Sequence, residues 1–169
     1  MMISDCEQLA ADISKCFRDV SGPPRITLSV ARGIDDHRYD ELAKLARKQC
    51  HHRHWKNVSS EEISYYHDTW NFLDHEAFRF YLPAFMCDYL NSCVRAKALL
   101  PDPRWVSRLS QPNAEIIDCF TREQRKCFQD FLELILRSKG NPLDYDFFQT
   151  NVVQPWLEIL KHRNFEQSQ

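Results

Sequence analysis

Cys50-His51-His52-Arg53-His54-Trp55 is the densest concentration of potential metal ligands in the chain. Thiolate sulfur and imidazole nitrogen are donors that zinc and nickel accept, and backbone conformation decides which of them converge. On a helix Cys50 and His54 share a face, whereas in an extended segment His52 and His54 share a side. Either arrangement supplies two ligands where a closed site takes four, so the rest must come from afar, with Asp36, His37 and His67 as candidates. Cys50, His52 and His54 are thus the candidate ligands of a zinc or nickel site, and a metal-binding protein or metal-dependent hydrolase is the reading that goes with them. The same region is cationic: Lys44, Arg47, Lys48, Arg53 and Lys56 occur with no acidic residue from Ala43 through Ser60. Cations interleaved with an aromatic can meet an acidic protein surface or track a phosphate backbone. Arg47, Lys48, His52, Arg53, His54, Trp55 and Lys56 are therefore the candidate binding patch. A solvated basic helix end is the plain alternative.

Other constellations fall short of catalysis. His75-Glu76-Ala77-Phe78-Arg79 resembles the zinc-protease pattern His-Glu-x-x-His, but arginine, which stays protonated, replaces the second ligand. Glu76 then reads as a first-turn acid favoured by the helix dipole, with Arg79 as its i+3 partner. No glutamate is followed three residues later by histidine, as a di-iron bundle requires. There is no Gly-x-Ser-x-Gly elbow, and Cys87 and Cys93 read as small apolar fillers. His67-Asp68 and Asp74-His75-Glu76 bring imidazoles close to carboxylates, but in positions where such residues are ordinarily solvated. No residue is assigned a catalytic role.

The elements that must position these residues are helical. Between Leu73 and Ala98, Phe78, Leu82, Phe85, Met86, Tyr89 and Cys93 follow one helical face while Phe80, Tyr81 and Ala84 occupy the opposite side, so the segment must be enclosed by neighbours. Pro83 lies in its middle and removes the amide that would bond the Arg79 carbonyl, which predicts either a kink or an end near Tyr81 with a restart at Pro83. A small-molecule pocket at that break is a third functional possibility. Ser4 and Glu7 have capping-box spacing ahead of a helix over Asp5 to Val20, stopped by Gly22-Pro23-Pro24. Ile26 to Val30 alternates like a strand, but with no partner strand it reads better as a short helix capped by Thr27. Asp35-Asp36 precedes a helix through Tyr39, Leu42 and Leu45, and Ser59 with Glu62 forms a second capping box before Ile63, Tyr66, Trp70 and Leu73. Thr121-Arg122-Glu123-Gln124 opens a further helix bearing Phe128, Phe131, Leu132 and Ile135, and Gly140-Asn141-Pro142 closes it. A stripe through Leu143, Phe147, Phe148 and Val152 leads to a last helix with Pro155 at its first position.

The totals agree with one all-α domain of about six to eight helices over residues 1–162, with residues 163–169 as a frayed tail. Three glycines in 169 residues leave little for β-turns or phosphate-cradling loops, and a net charge of -2 disfavours a nucleic-acid partner. Seven cysteines, odd in number and irregularly spaced, with no leader-like N-terminus, suggest reduced thiols in a cytoplasm. No window reaches the roughly 18 apolar residues of a membrane-spanning helix.

Glu76-Ala77-Phe78-Arg79-Phe80-Tyr81-Leu82-Pro83-Ala84-Phe85-Met86, with the Trp55 to Ile63 segment before it, resembles a family of small, mainly bacterial proteins known only as a domain of unknown function. Leu28 through Asp36, and Phe120-Thr121-x-x-Gln124 leading into Phe131-Leu132, extend the resemblance over roughly residues 25 to 137. It implies a helical fold and a bacterial cytosol, and it brings no activity, cofactor or ligand set. The Cys50 to His54 cluster is outside the pattern. The functional expectation is a non-enzymatic protein-binding module with no cofactor, which neutralises its partner if it works as immunity or antitoxin proteins do.

Overall fold

The computed structural model describes residues 2–48, 52–98, 104–109, 112–137 and 149–166. Among them there are eight α-helices and no strand. They are α1 (Met2–Cys16), α2 (Leu28–Asp35), α3 (Leu42–Lys48), α4 (Ser60–Tyr65), α5 (His75–Ala96), α6 (Ala114–Asp118), α7 (Arg122–Arg137) and α8 (Gln154–Glu166), joined by short 3₁₀ turns and, at Gln149–Val153, a π-helical segment. Leu143, Phe147, Phe148 and the Gly140-Asn141-Pro142 stop lie outside the described residues.

Helix α5 is the axis. From Ala77 to Met86 every residue except Arg79 is buried, as an all-round apolar helix in water requires. Asp74 caps it through Oδ1, which accepts from the Ala77 amide at 2.8 Å, and Lys97 closes it with φ 54°. The helix runs unbroken through Pro83, so the break and restart near Tyr81 do not occur. Packing on all sides outweighs proline's cost of roughly 3 kcal/mol in a helix interior.

Around this axis the aromatic rings interlock. Trp70 meets Phe78 at 5.0 Å and Phe85 at 4.8 Å edge-on, Trp156 stacks on Phe78 at 5.5 Å, and Trp105 stacks on Phe131 at 5.6 Å. Cys6, Leu9 and Ile13 of α1 are buried, as are Phe17 and Val20 just beyond its end. Its boundaries differ from expectation, because the helix starts at Met2 and places Ser4 inside it rather than at a cap.

Caps fix most of the other helices. Thr27 Oγ1 accepts from the Val30 amide at 3.3 Å, confirming a helix and not a strand at Leu28. Ser59 and Glu62 form the expected capping box of α4, and Thr121 and Gln124 form the same reciprocal pair at α7. Two expectations are corrected. Asp36 closes α2 instead of opening α3, its amide reaching the Arg32 and Ile34 carbonyls. Helix α4 stops at Tyr65, and Trp70–Phe72 forms a separate 3₁₀ turn that drops Trp70 into the core.

Candidate functional site

Three side chains distant in sequence converge on the C-terminal end of α1. The last carbonyls of a helix lack intrahelical donors and must find them elsewhere. Gln124 Nε2 donates to the Cys16 carbonyl at 3.0 Å, and Trp55 Nε1 donates to Phe17 at 2.9 Å. His54 Nε2 lies 3.0 Å from the Arg18 carbonyl, while its Nδ1 accepts from the Lys56 amide at 3.1 Å. With Nδ1 an acceptor, the neutral ring must carry its proton on Nε2 and donate it to Arg18. A backbone bond from the Gly22 amide to the Arg53 carbonyl at 2.9 Å and a β-bridge between Ser21 and His54 complete the joint.

This joint holds the Asp19–Pro24 loop against the first turns of α5. A Cβ on Gly22 would collide with the Phe80 ring, so only glycine lets the loop approach so closely. The Gly22-Pro23 peptide is cis. Between loop and helix lies a cavity of about 410 Å³, lined on one side by Asp19, Val20 and Pro23 and on the other by Glu76, Arg79 and Phe80, with Cys119 at its edge. Arg79 does not pair with Glu76 as its spacing suggested. Its Nε donates instead to Gln124 Oε1 at 3.1 Å. Gln124 is itself buried and uses both ends of its amide: Oε1 accepts from Arg79 and from the Thr121 amide, and Nε2 holds α1. A second cavity of about 450 Å³ lies against the next turn of α5, at Ala84, Cys87 and Asp88, where α1 and Trp55 form the opposite wall.

The candidate patch divides when folded. Arg47 and Lys48 are exposed at the end of α3, and Arg53 and Lys56 are exposed beyond it. Trp55 is buried, with Lys56 Nζ 5.4 Å above its ring, so it serves the joint and not the surface. His52 is also buried, and its Nε2 lies 3.1 Å from Glu62 of the α4 capping box. Cys50 lies outside the described residues, and among those described no group of three potential ligands gathers as a metal site would need. Asp35 accompanies Arg32, at 3.6 Å, and Arg32 reaches Asp68 at 3.0 Å, whereas Trp55 and Arg79 belong to the joint and the cleft.

Four of the thiols are held away from nucleophilic chemistry. Burial pushes Cys87 and Cys119 up to about 11, and Cys6 likewise to about 11 with help from neighbouring Cys93. Burial also raises Cys127, beside Cys16, and Tyr81 at the centre of α5. At neutral pH these sulfurs stay protonated.

Among the described residues two large hydrophobic side chains stand out of the surface: Tyr39 is 60% exposed and Tyr65 is 63% exposed. Arg32 lies over the Tyr65 ring at 5.7 Å and is itself held by Asp35 and Asp68. The Tyr39 hydroxyl meets His37 Nδ1 at 3.3 Å, on the turn that follows α2, where His37 takes φ 57°. Periodicity missed both, because a tyrosine at a helix end reads equally as core or surface.

No helix among the described residues is long and apolar enough to cross a membrane. A family model described as a family of unknown function (DUF6714) matches residues 5–158. No curated protein and no solved structure matches the chain.

Proposed function

The chain belongs to DUF6714, and from that premise we propose that it is a non-enzymatic, protein-binding module of the bacterial cytosol. The exposure of Tyr39 and Tyr65 carries this reading. Every described Trp and Phe side chain is buried or half-buried, so leaving two aromatic rings in water departs from the pattern of the rest of the molecule. Tyrosine and arginine are the residue types that dominate binding hot spots, since each offers a large contact area and a polar group. Here the Tyr65 ring is already braced by Arg32 and the Tyr39 hydroxyl by His37, which lowers the ordering cost of association. Lys44, Arg47 and Lys48, exposed on the neighbouring α3, favour an acidic partner surface and speed its approach. Neutralising a partner, as immunity or antitoxin proteins do, is one form such a module takes.

The test is affinity capture with the intact chain beside a Tyr39→Ser/Tyr65→Ser variant, folding being checked by circular dichroism. We expect one stoichiometric protein on the wild-type chain and at least about thirtyfold weaker binding to the variant, the loss of two anchors of over 1 kcal/mol each. Equal recovery on both, or no stoichiometric protein on either, overturns the reading.

A further inference from the structure

The arginines inside the fold are anchored in different ways. Arg32 ends on two carboxylates, and Arg125 donates to Asn164 and to the Phe120 carbonyl. Arg79 is half-buried too, yet its bond to Gln124 uses Nε alone, and among the described residues no carboxylate reaches its two terminal nitrogens. A neutral amide orients the guanidinium without neutralising it. The bond at Nε fixes the plane of the group, and Arg79 lines the 410 Å³ cleft with no carboxylate on Nη1 or Nη2 among the described residues.

We propose that this cleft binds a small monocarboxylate, its two oxygens taken end-on by Arg79. The planar fork matches a carboxylate with two parallel charge-assisted bonds, and such pairs are among the stronger polar contacts a protein makes. The surrounding walls narrow the class. Glu76 lines the same cleft and disfavours added negative charge, which favours a monoanion over phosphate or a dicarboxylate, while Asp19 is 88% exposed and paired with Arg18 at 3.3 Å. Pro23, which is exposed, supplies apolar surface for a short alkyl tail, with the buried Val20 and Phe80 behind it. The volume lies within the range of roughly 300 to 1,000 Å³ typical of small-molecule sites. Gln124 is the positioning residue, because it sets the plane of the fork and touches no ligand. This site is separate from the tyrosine-bearing surface, and neither reading depends on the other.

The experiment is an amide-NMR titration of the full chain with sodium butyrate, against sodium chloride at matched ionic strength and against inorganic phosphate. Butyrate is expected to give saturable shifts at Ser21, Gly22 and the Arg79 side chain, with phosphate binding more weakly. Arg79→Gln should weaken butyrate at least about tenfold, and Glu76→Gln should tighten it about two- to threefold by removing a like charge. Gln124→Asn, which keeps the amide but shortens its reach, should weaken butyrate and leave the chloride response unchanged. Should Arg79→Gln fail to fold, Arg79→Lys retains the charge without the fork and should also bind less tightly. Butyrate shifts no larger than those of chloride, phosphate binding tighter than butyrate, or unchanged affinity in the Arg79 variant that folds would each overturn the assignment.

Discussion

A single buried amide connects three parts of this molecule. Gln124 closes the N-terminus of α7, supplies the donor that the Cys16 carbonyl lacks at the end of α1, and aims Arg79 of α5. Each such bond is worth about 1 kcal/mol net, but a buried acceptor or cation left without its partner costs more. Gln124→Ala is therefore expected to lower stability by about 2–4 kcal/mol, measured as a reduced urea midpoint at unchanged slope. Arg79→Ala removes only one of the three contacts and should cost less. Equal losses would show that the amide acts through Arg79 alone.

Among the helices, what could be read from the chain and what could not divides by distance along it. The Thr27, Ser59 and Thr121 caps involve residues three apart, so local spacing exposes them. The same locality explains why α5 reads as the axis, since its burial is written into consecutive residues. The closure of α1 was not legible, because His54, Trp55 and Gln124 are 36, 38 and 108 residues from the carbonyls they meet. His54 and Trp55 consequently looked like surface and metal chemistry, when their polar atoms are engaged in holding a helix end. Ser4 shows the converse: capping-box spacing carried no cap, because two more residues extend the helix ahead of it. A prediction belongs at this scale. Asp74→Ala removes the acceptor of the Ala77 amide at the entry to α5 and should cost about 1 kcal/mol, whereas Asp74→Asn, which preserves an acceptor, should cost markedly less. Both are read from denaturant midpoints.

For the molecule as a whole, the thiols couple folding to alkalinity. The sulfurs of buried Cys6 and half-buried Cys87 and Cys119 hold their protons up to about 11, against 9.0 for a solvated thiol. A folded state that keeps protons longer than the unfolded one loses ground as they are withdrawn. Their contribution is fully present below pH 9, and it should fall away as pH rises from there through about 11. The melting temperature should accordingly decline across that window, and Cys87→Ala should shallow the decline without moving the acid limb. Alkylation at Cys6, Cys87 and Cys119, mapped by mass spectrometry, should be slow in the native protein at neutral pH and become rapid on unfolding. A melting temperature flat to pH 11 would contradict this account.

The bond from Gly22 to Arg53, with the bridge from Ser21 to His54 beside it, ties a neck in the chain: everything from Pro23 to His52 departs from one point and comes back to it. An excursion pinned at its neck adds little entropy when its far end is lengthened, because the cost of a closed loop grows only with the logarithm of its length. The turn at Arg38 to Asp40, remote from that neck in sequence, is accordingly where this scaffold can take on extra residues and diversify the face that carries Tyr39 while the aromatic axis folds as before.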